Sequence, residues 1–443
     1  MPNTIIQVIL LKKKIVYNAG VLAASNIVVR ILGLLYRIWL SRAITNVSLG
    51  LFQLSMSVYM LLITPISSGL PNAVSVLSAY RSTKEGDAAA NSVLRSGLRI
   101  ATAIALPIGA IMLVGAQLLS GILLHDIKGD IIIIALIPAV VLGGIASVPS
   151  AFLHSKQRSI VPAISEVIEQ VCKIGFGVGI ILLLNSKNNY INAAAAAAAL
   201  SFGGIVSFFI LRYSCGYKKN AIYKPQTKYL IKAAVPLTGS RALGALIQLA
   251  VTSLLPIQLM LSGLTKDAAL SQFGILTGMA MPIIFLPTTF TSALCVVLLP
   301  DIAKCRASGN YRLIKSKINR SLLFTAVITA IAAICIAFIA RPMGGLVYKQ
   351  PLAGNYILAL SPLVFIMGLT QVSGTILNSL KQEKKMLLYN LIGGVVCLVL
   401  MYVLTPISGL GLMGYIIATT IQSILICILN LFGINKTLKS NNK

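Results

Sequence analysis

Acidic residues are what this sequence most lacks. Only 9 Asp and Glu occur in 443 residues, and charged residues of both signs make up 10% of the chain. Soluble proteins carry about 25% charged residues, and a soluble chain of this length forms several charged-surfaced domains. Nine carboxylates do not solvate such a surface, so a soluble globular protein is excluded. Disorder is excluded as well, because 57% of the residues are hydrophobic. Histidine is scarce: His125 and His154 stand alone, which leaves no zinc site. The cysteines at 172, 215, 295, 305, 335, 397 and 427 lack CxxC spacing and read as small hydrophobes. There is no Walker A loop, no DxD, no HExxH and no paired loop carboxylates beside a His. An enzyme, a metal and a cofactor are therefore not expected. Asp126 and Asp130 flank a short loop, where solvated acids are the default.

What is there is long apolar runs. A membrane-crossing helix needs about 20 mainly apolar residues. Twelve runs qualify, at 16–41, 48–78, 96–123, 131–153, 160–185, 190–213, 231–262, 270–299, 321–340, 355–380, 386–405 and 411–434. They are continuous rather than alternating, so a strand barrel is excluded. The 37 Lys and Arg, net charge +28, test the count. With the N-terminus in the cytoplasm, 24 of them fall in inside segments and six in outside segments. That bias predicts an all-α polytopic membrane protein with both termini cytoplasmic. It also explains the net charge without nucleic acid. The stretch Ile5–Leu11 is short, is followed by Lys12–Lys14 and lacks a small-residue cleavage site. Residues 1–14 thus read as an interfacial lead rather than a cleavable signal.

The chain also repeats itself. At an offset of 224, Pro138/Pro362, Gly144/Gly368, Val148/Val372, Leu153/Leu377 and Ser155/Ser379 coincide, and Pro65/Pro287 pair at 222. Two six-helix lobes follow, 15–213 and 231–435, joined by a basic linker at 214–230 and ending in a tail at 436–443. Parallel repeats of this kind are a transporter architecture with a site near mid-depth between the halves.

A few charges lie where the membrane makes them costly. Arg30 and Arg37 are seven residues apart on the first helix, sharing a stripe with Asn26, Gly33 and Ser41. Arg30 lies about 24 Å along the helix from Lys14 and Arg37 about 34 Å. Both are candidates to hold an anionic group; the alternative is a structural or snorkelling role, which is easiest for Arg37. Arg241, about 14 Å along from Lys232, shares a polar face with Gln248 and Thr252 on the seventh helix. It is a ligand candidate or a partner for a carboxylate. Glu166 and Glu169 are the carboxylates inside a membrane run, and Lys173 follows Glu169 by four, the spacing of a helix ion pair. Glu166 is either a partner of Arg241 or a protonatable coupling site. Four cations against two carboxylates suit an anionic substrate and suit a cationic drug badly. Pro65, Gly69 and Pro71 break the second helix, and Pro282 and Pro287 mark the eighth. They are hinge candidates, or static kinks set by packing.

Several stretches carry a family resemblance: SNIVVRILGLLYRIWLSRAI (25–44), KQRSIVPAISEVIEQVCKI (156–174) and GILTGMAMPIIFLPTTFTSALCVVLLPDIAK (274–304). They resemble the stage V sporulation protein B family, within the multidrug/oligosaccharidyl-lipid/polysaccharide flippase superfamily. The resemblance runs from about residue 13 to residue 439. It implies a V-shaped pair of six-helix lobes with alternating access in a bacterial cell membrane. It also implies a substrate, an undecaprenyl-pyrophosphate-linked saccharide such as the peptidoglycan precursor of spore cortex. A first-helix arginine holds pyrophosphate in related lipid II flippases, and Arg30 and Arg37 are the matching positions. Two departures stand out. Many relatives have fourteen helices, so a lipid groove built by an extra pair is not expected here. Glu166 replaces the usual Gln of the motif. Partners are then the lipid-linked saccharide, membrane lipids, and a coupling cation or the membrane potential, with a monomer as the acting form. Two rivals remain: a cation-coupled multidrug antiporter of the same superfamily, and a membrane scaffold or polymerase for glycan assembly.

Overall fold

The computed structural model describes residues 2–124, 126–216, 226–307 and 311–440. Among these residues every regular element is helical. In chain order they are α1 (Pro2–Ala43), α2 (Asn46–Ser67), α3 (Gly69–Glu85), α4 (Asp87–Val114), α5 (Ala116–Leu119), α6 (Asp130–Pro138), α7 (Gly144–Ser155), α8 (Ile160–Leu184) and α9 (Asn189–Ser214). The second half follows with α10 (Thr227–Leu261), α11 (Lys266–Gly274), α12 (Met281–Ile284), α13 (Thr288–Ala307), α14 (Tyr311–Pro342), α15 (Pro351–Ser379), α16 (Glu383–Leu404) and α17 (Leu412–Ser440). Twelve helical spans are long and apolar enough to cross a membrane, as the hydropathy pattern predicts. Bounds differ where charge misleads. The third span begins at Asp87, not at 96, because helix geometry continues through Arg95 toward the basic end. The apolar residues after Val114 form separate short turns. The first helix begins at Pro2, so residues 2–14 are helical and run into the first span. Of the expected linker, residues 217–225 lie outside the described residues, as do 441–443 of the tail. All seven cysteines are free thiols.

The repeat is visible in the helix ends. α7 ends at Ser155 and α15 at Ser379, 224 residues apart. This offset is that of the Pro138/Pro362 pair. The proline-marked spans are interrupted, as proline chemistry requires. The second breaks at Ser68: Pro71 has no N–H, and the Gly69 amide leaves the ladder to donate to the Thr238 hydroxyl at 3.2 Å. Gly69 is needed there, because a Cβ would strike the Ala234 carbonyl of α10. The eighth turns at Phe285–Pro287, between α12 and α13.

The chain folds as two compact units. The first comprises residues 1–43 and 54–245; the second comprises 44–53 and 246–443. The start of α2 thus packs with the second half and the start of α10 with the first. Glycines make the first of these joins: a Cβ on Gly274 would lie 2.6 Å from the Gly50 amide nitrogen. In the first unit, α8 packs on both α1 and α9, and α9 also packs on α6. The α9 surface is a buried alanine run, Ala193–Ala197 with Ala199, which lets neighbours approach closely. At Ser201 the α6 ladder opens. The Ser201 hydroxyl donates to the Ala135 carbonyl and accepts from the Ala139 amide at 3.2 Å. Those two α6 groups would otherwise bond to each other, and a wide π turn at Ala139–Gly143 follows.

Candidate functional site

The first unit gathers the unusual charges on α8. Glu166, Glu169 and Lys173 follow at three- and four-residue spacing, so they share one sector of the helix. α9 comes close at Gly203, where a Cβ would fall 2.9 Å from the Glu169 carbonyl oxygen and 3.2 Å from Lys173 Cβ. Close approach brings Ser207, one turn further on, beside the Glu169 carboxylate. Ser165 shares a 3.0 Å hydrogen bond with Ser207. On the other flank α1 approaches at Gly33, where a Cβ would lie 3.3 Å from Gln170 Nε2. Gly177 leaves the space that the buried Tyr36 hydroxyl occupies. That hydroxyl has no hydrogen-bond partner.

Lys173 reaches toward α1. Its ammonium lies 5.8 Å from the Tyr36 ring centroid, a cation–π arrangement. It is within electrostatic range of both Glu169 and Arg37. Tyr59 of α2 faces the field of Glu169, and Glu166 and Glu169 repel one another. The structure thus brings together Arg37, Glu166, Glu169 and Lys173 from three- and four-residue spacings and one helix crossing. Tyr36, Tyr59, Gln170 and Ser207 complete the cluster. Of these, Gln170 stands in the VIEQ motif, whereas the tyrosines and Ser207 carry no sequence signal.

Three expectations need correction. The Glu169–Lys173 spacing suggests a direct ion pair, yet none forms. Glu169 lies beside Ser207 on the α9 side, while Lys173 extends over Tyr36 on the α1 side. Glu166 likewise makes no ion pair with Arg241. The stripe of α1 also divides. Asn26, Arg30 and Arg37 stay on the exposed side. Gly33 turns into the α8 contact, and Ser41 is buried and donates to the Ile38 carbonyl at 2.8 Å. A rotation of a few tens of degrees about the helix axis decides which side of the contact each falls on.

Arg241 and Gln248 are both exposed on α10, but the helix passes between units at residues 245 and 246. Gln248 is held by its own helix: its amide donates to Thr252 Oγ1 at 3.3 Å, and Thr252 donates to the Gln248 carbonyl at 2.6 Å. Among the described residues, no group of three or more His, Cys, Asp or Glu is placed to hold a metal ion. Asp126 serves locally, accepting from the Lys128 amide at 3.0 Å and from the Tyr190 hydroxyl.

Chemically, the cluster holds both signs, Arg37 and Lys173 against Glu166 and Glu169. Arg37 and Lys173 feel each other's field, with Glu169 beside them and Arg30 two turns away on the exposed side of α1. Inside a bilayer charges of either sign are costly unless a partner, a ligand or a wetted cavity faces them.

Twelve spans in two repeated halves define a multi-pass membrane protein of transporter architecture. The chain belongs to the polysaccharide biosynthesis protein family, whose model matches residues 15–306; a MatE model matches residues 244–403. Stage V sporulation protein B of Bacillus subtilis is 24% identical over 430 residues, covering 94% of this chain and 83% of that protein. The lipid II flippase MurJ of the same organism is 23% identical, covering 88% of this chain and 77% of that protein. The fold also matches the inward-facing conformation of a multidrug resistance MATE family transporter of the MOP superfamily. There the TM-score is 0.77 at 16% identity, covering 94% of this chain and 95% of that one.

Proposed function

We propose that the protein is a flippase that carries an undecaprenyl-pyrophosphate-linked saccharide from the inner to the outer leaflet of a bacterial plasma membrane. The carrying observation is the pairing of two cations, Arg37 and Lys173, inside membrane spans beside exposed Arg30. A pyrophosphate adds negative charge on the side of α1 that carries Arg30 and Arg37. Arg30 and Arg37 present guanidinium forks, which bind phosphate oxygens in pairs. The sugar occupies the polar space beside α1, and the prenyl chain stays in lipid. Alternation of the two halves then exposes the head group to one leaflet and afterwards to the other. The bias for outward movement is a difference in affinity between the two states, supplied by the membrane potential or a coupled cation. The cargo is a lipid II-type peptidoglycan precursor, a reading supported by similarity to MurJ and to stage V sporulation protein B. The protein acts as a monomer with both termini in the cytoplasm, as the placement of its basic loops supports.

The MatE match over residues 244–403 favours a second reading, a cation-coupled drug antiporter. It requires a carboxylate that binds the cation or drug, and Glu166 and Glu169 are the residues to serve. The two readings separate in one experiment. The wild type and an Arg30→Ala variant are expressed at matched levels in a bacterium depleted of its own lipid II flippases. Outer-leaflet lipid II is scored by external accessibility. Restoration by the wild type and failure of the variant support the flippase reading. Absence of restoration by well-expressed wild type refutes lipid II as cargo.

A further inference from the structure

A second concentration of arginine lies elsewhere in the first unit. A groove of about 820 Å³ runs between α4 and α9, floored by Ile145 of α7. One end carries Arg95 and Arg99 of α4 and Arg212 of α9; the other is walled by Leu106 of α4, with Phe208 of α9 between the two ends. Helix geometry explains the polarity. Arg95, Arg99, Thr102 and Leu106 recur at four, seven and eleven residues, so α4 presents one face that changes from basic to apolar. Phe208 and Arg212 repeat the change on α9 at a spacing of four. α4 starts and α9 ends at the same end of the unit, beside Lys156 and Arg158, where the basic loops gather. The lining contains no acidic residue. Arg95 and Arg99, four apart on one helix, lie on the same face and can reach one anion together. From Arg95 to Leu106 the face extends about 17 Å along the helix, the length of a substantial part of an acyl chain.

We propose that this groove binds an anionic glycerophospholipid of the surrounding leaflet. The phosphate sits among the three arginines, and one acyl chain runs along Phe208 and Leu106. Charge complementarity selects the occupant: a zwitterionic lipid brings no net charge, and a free phosphate leaves the apolar wall uncovered. The groove shares no lining residue with the α1–α8 cluster, so the proposal stands or falls independently of the flippase reading.

The test is native mass spectrometry of the full chain in detergent, titrated with phosphatidylglycerol or with phosphatidylcholine of equal chain length. The wild type is expected to retain phosphatidylglycerol at least about tenfold better, since each nearby arginine contributes about a fivefold preference for anionic lipid. Replacing Arg95, Arg99 and Arg212 together by Gln is expected to bring the two lipids level. Leu106→Trp, which fills the apolar wall, is expected to lower retention of phosphatidylglycerol while leaving the arginines in place. Equal retention of the two lipids by the wild type overturns the proposal, as does a preference that survives in the triple variant. If the triple variant does not fold, Leu106→Trp decides, and unchanged retention there overturns it too.

Discussion

The two halves repeat one helical plan and use opposite polar chemistry inside it. In the first unit the polar groups of α1 and α8 are charged, and the Tyr36 hydroxyl is left without a partner. In the second unit they are neutral and several pair across helices, while Asn378 Oδ1, Thr405 Oγ1 and Asn430 Oδ1 are buried without a partner. The Gln371 amide of α15 accepts from Thr291 and donates to Ser292 of α13 at 2.7 Å. Asn430 of α17 donates to Ser373 of α15 at 3.2 Å, and Thr370 donates to the Ser423 carbonyl at 3.2 Å. The sequence agrees: residues 268–300, 321–340, 350–380 and 386–435 contain no charged side chain. A neutral hydrogen-bonded network holds helices in place, even with the Asn430 Oδ1 left without a partner. A charged cluster of two cations and two carboxylates inside membrane spans is costly to keep and so points to a role beyond scaffolding. The contrast separates scaffold from site within a single fold.

The strongest way to break this comparison is to reverse charge on one side of it. Arg37→Glu is expected to lower outward lipid II by well over tenfold at matched membrane levels, because it replaces an anion-attracting group with a repelling one. Undiminished transport would mean that the first unit's charges are as structural as the second unit's amides. Next in size is Gln371→Leu, which leaves Thr291 and Ser292 without their cross-helix partner. A stability loss of about 1–3 kcal/mol is expected in thermal unfolding, with the transport rate per folded molecule kept. A transport defect without a stability change would erase the distinction. Glu169→Gln keeps the volume and removes one negative charge from beside Lys173. The flippase reading expects a change of about threefold or less, whereas an antiporter driven through that carboxylate loses activity altogether. The smallest effect is expected for Glu166→Gln, below about twofold in the same assay, since Glu166 forms no ion pair.

Hydropathy made the twelve spans legible, because burying about 20 residues of backbone in lipid leaves the chain few alternatives. Pro65, Pro71 and Pro287 announced the interruptions, and the constant offsets announced the repeat. Arg30, Arg37, Glu166, Glu169 and Lys173 were legible as candidates because charge in an apolar run has a cost that needs a reason. Their partners were not. Whether Glu169 meets Lys173 or Ser207 depends on which helix approaches at Gly203, and glycine spacing alone does not name the neighbour. The division of the α1 stripe depends on axial rotation set by Gly33 against Gln170 and Tyr36 against Gly177. Tyr59 and Ser207 enter the cluster through tertiary placement, so no local pattern marks them. The assignment of residues 44–53 to the second unit was hidden for the same reason.

One consequence follows from the alanine face of α9. Interlocking side chains normally fix how far one helix can slip past another, like teeth on a rack. A run of buried methyl groups offers shallow teeth. Along that stretch of the α6–α9 contact, the Ser201 hydroxyl, seated in the opened ladder between Ala135 and Ala139, acts as the pin that sets axial register. Removing it by Ser201→Ala would leave a smooth rail, on which α9 could shift by a step along α6 with little resistance.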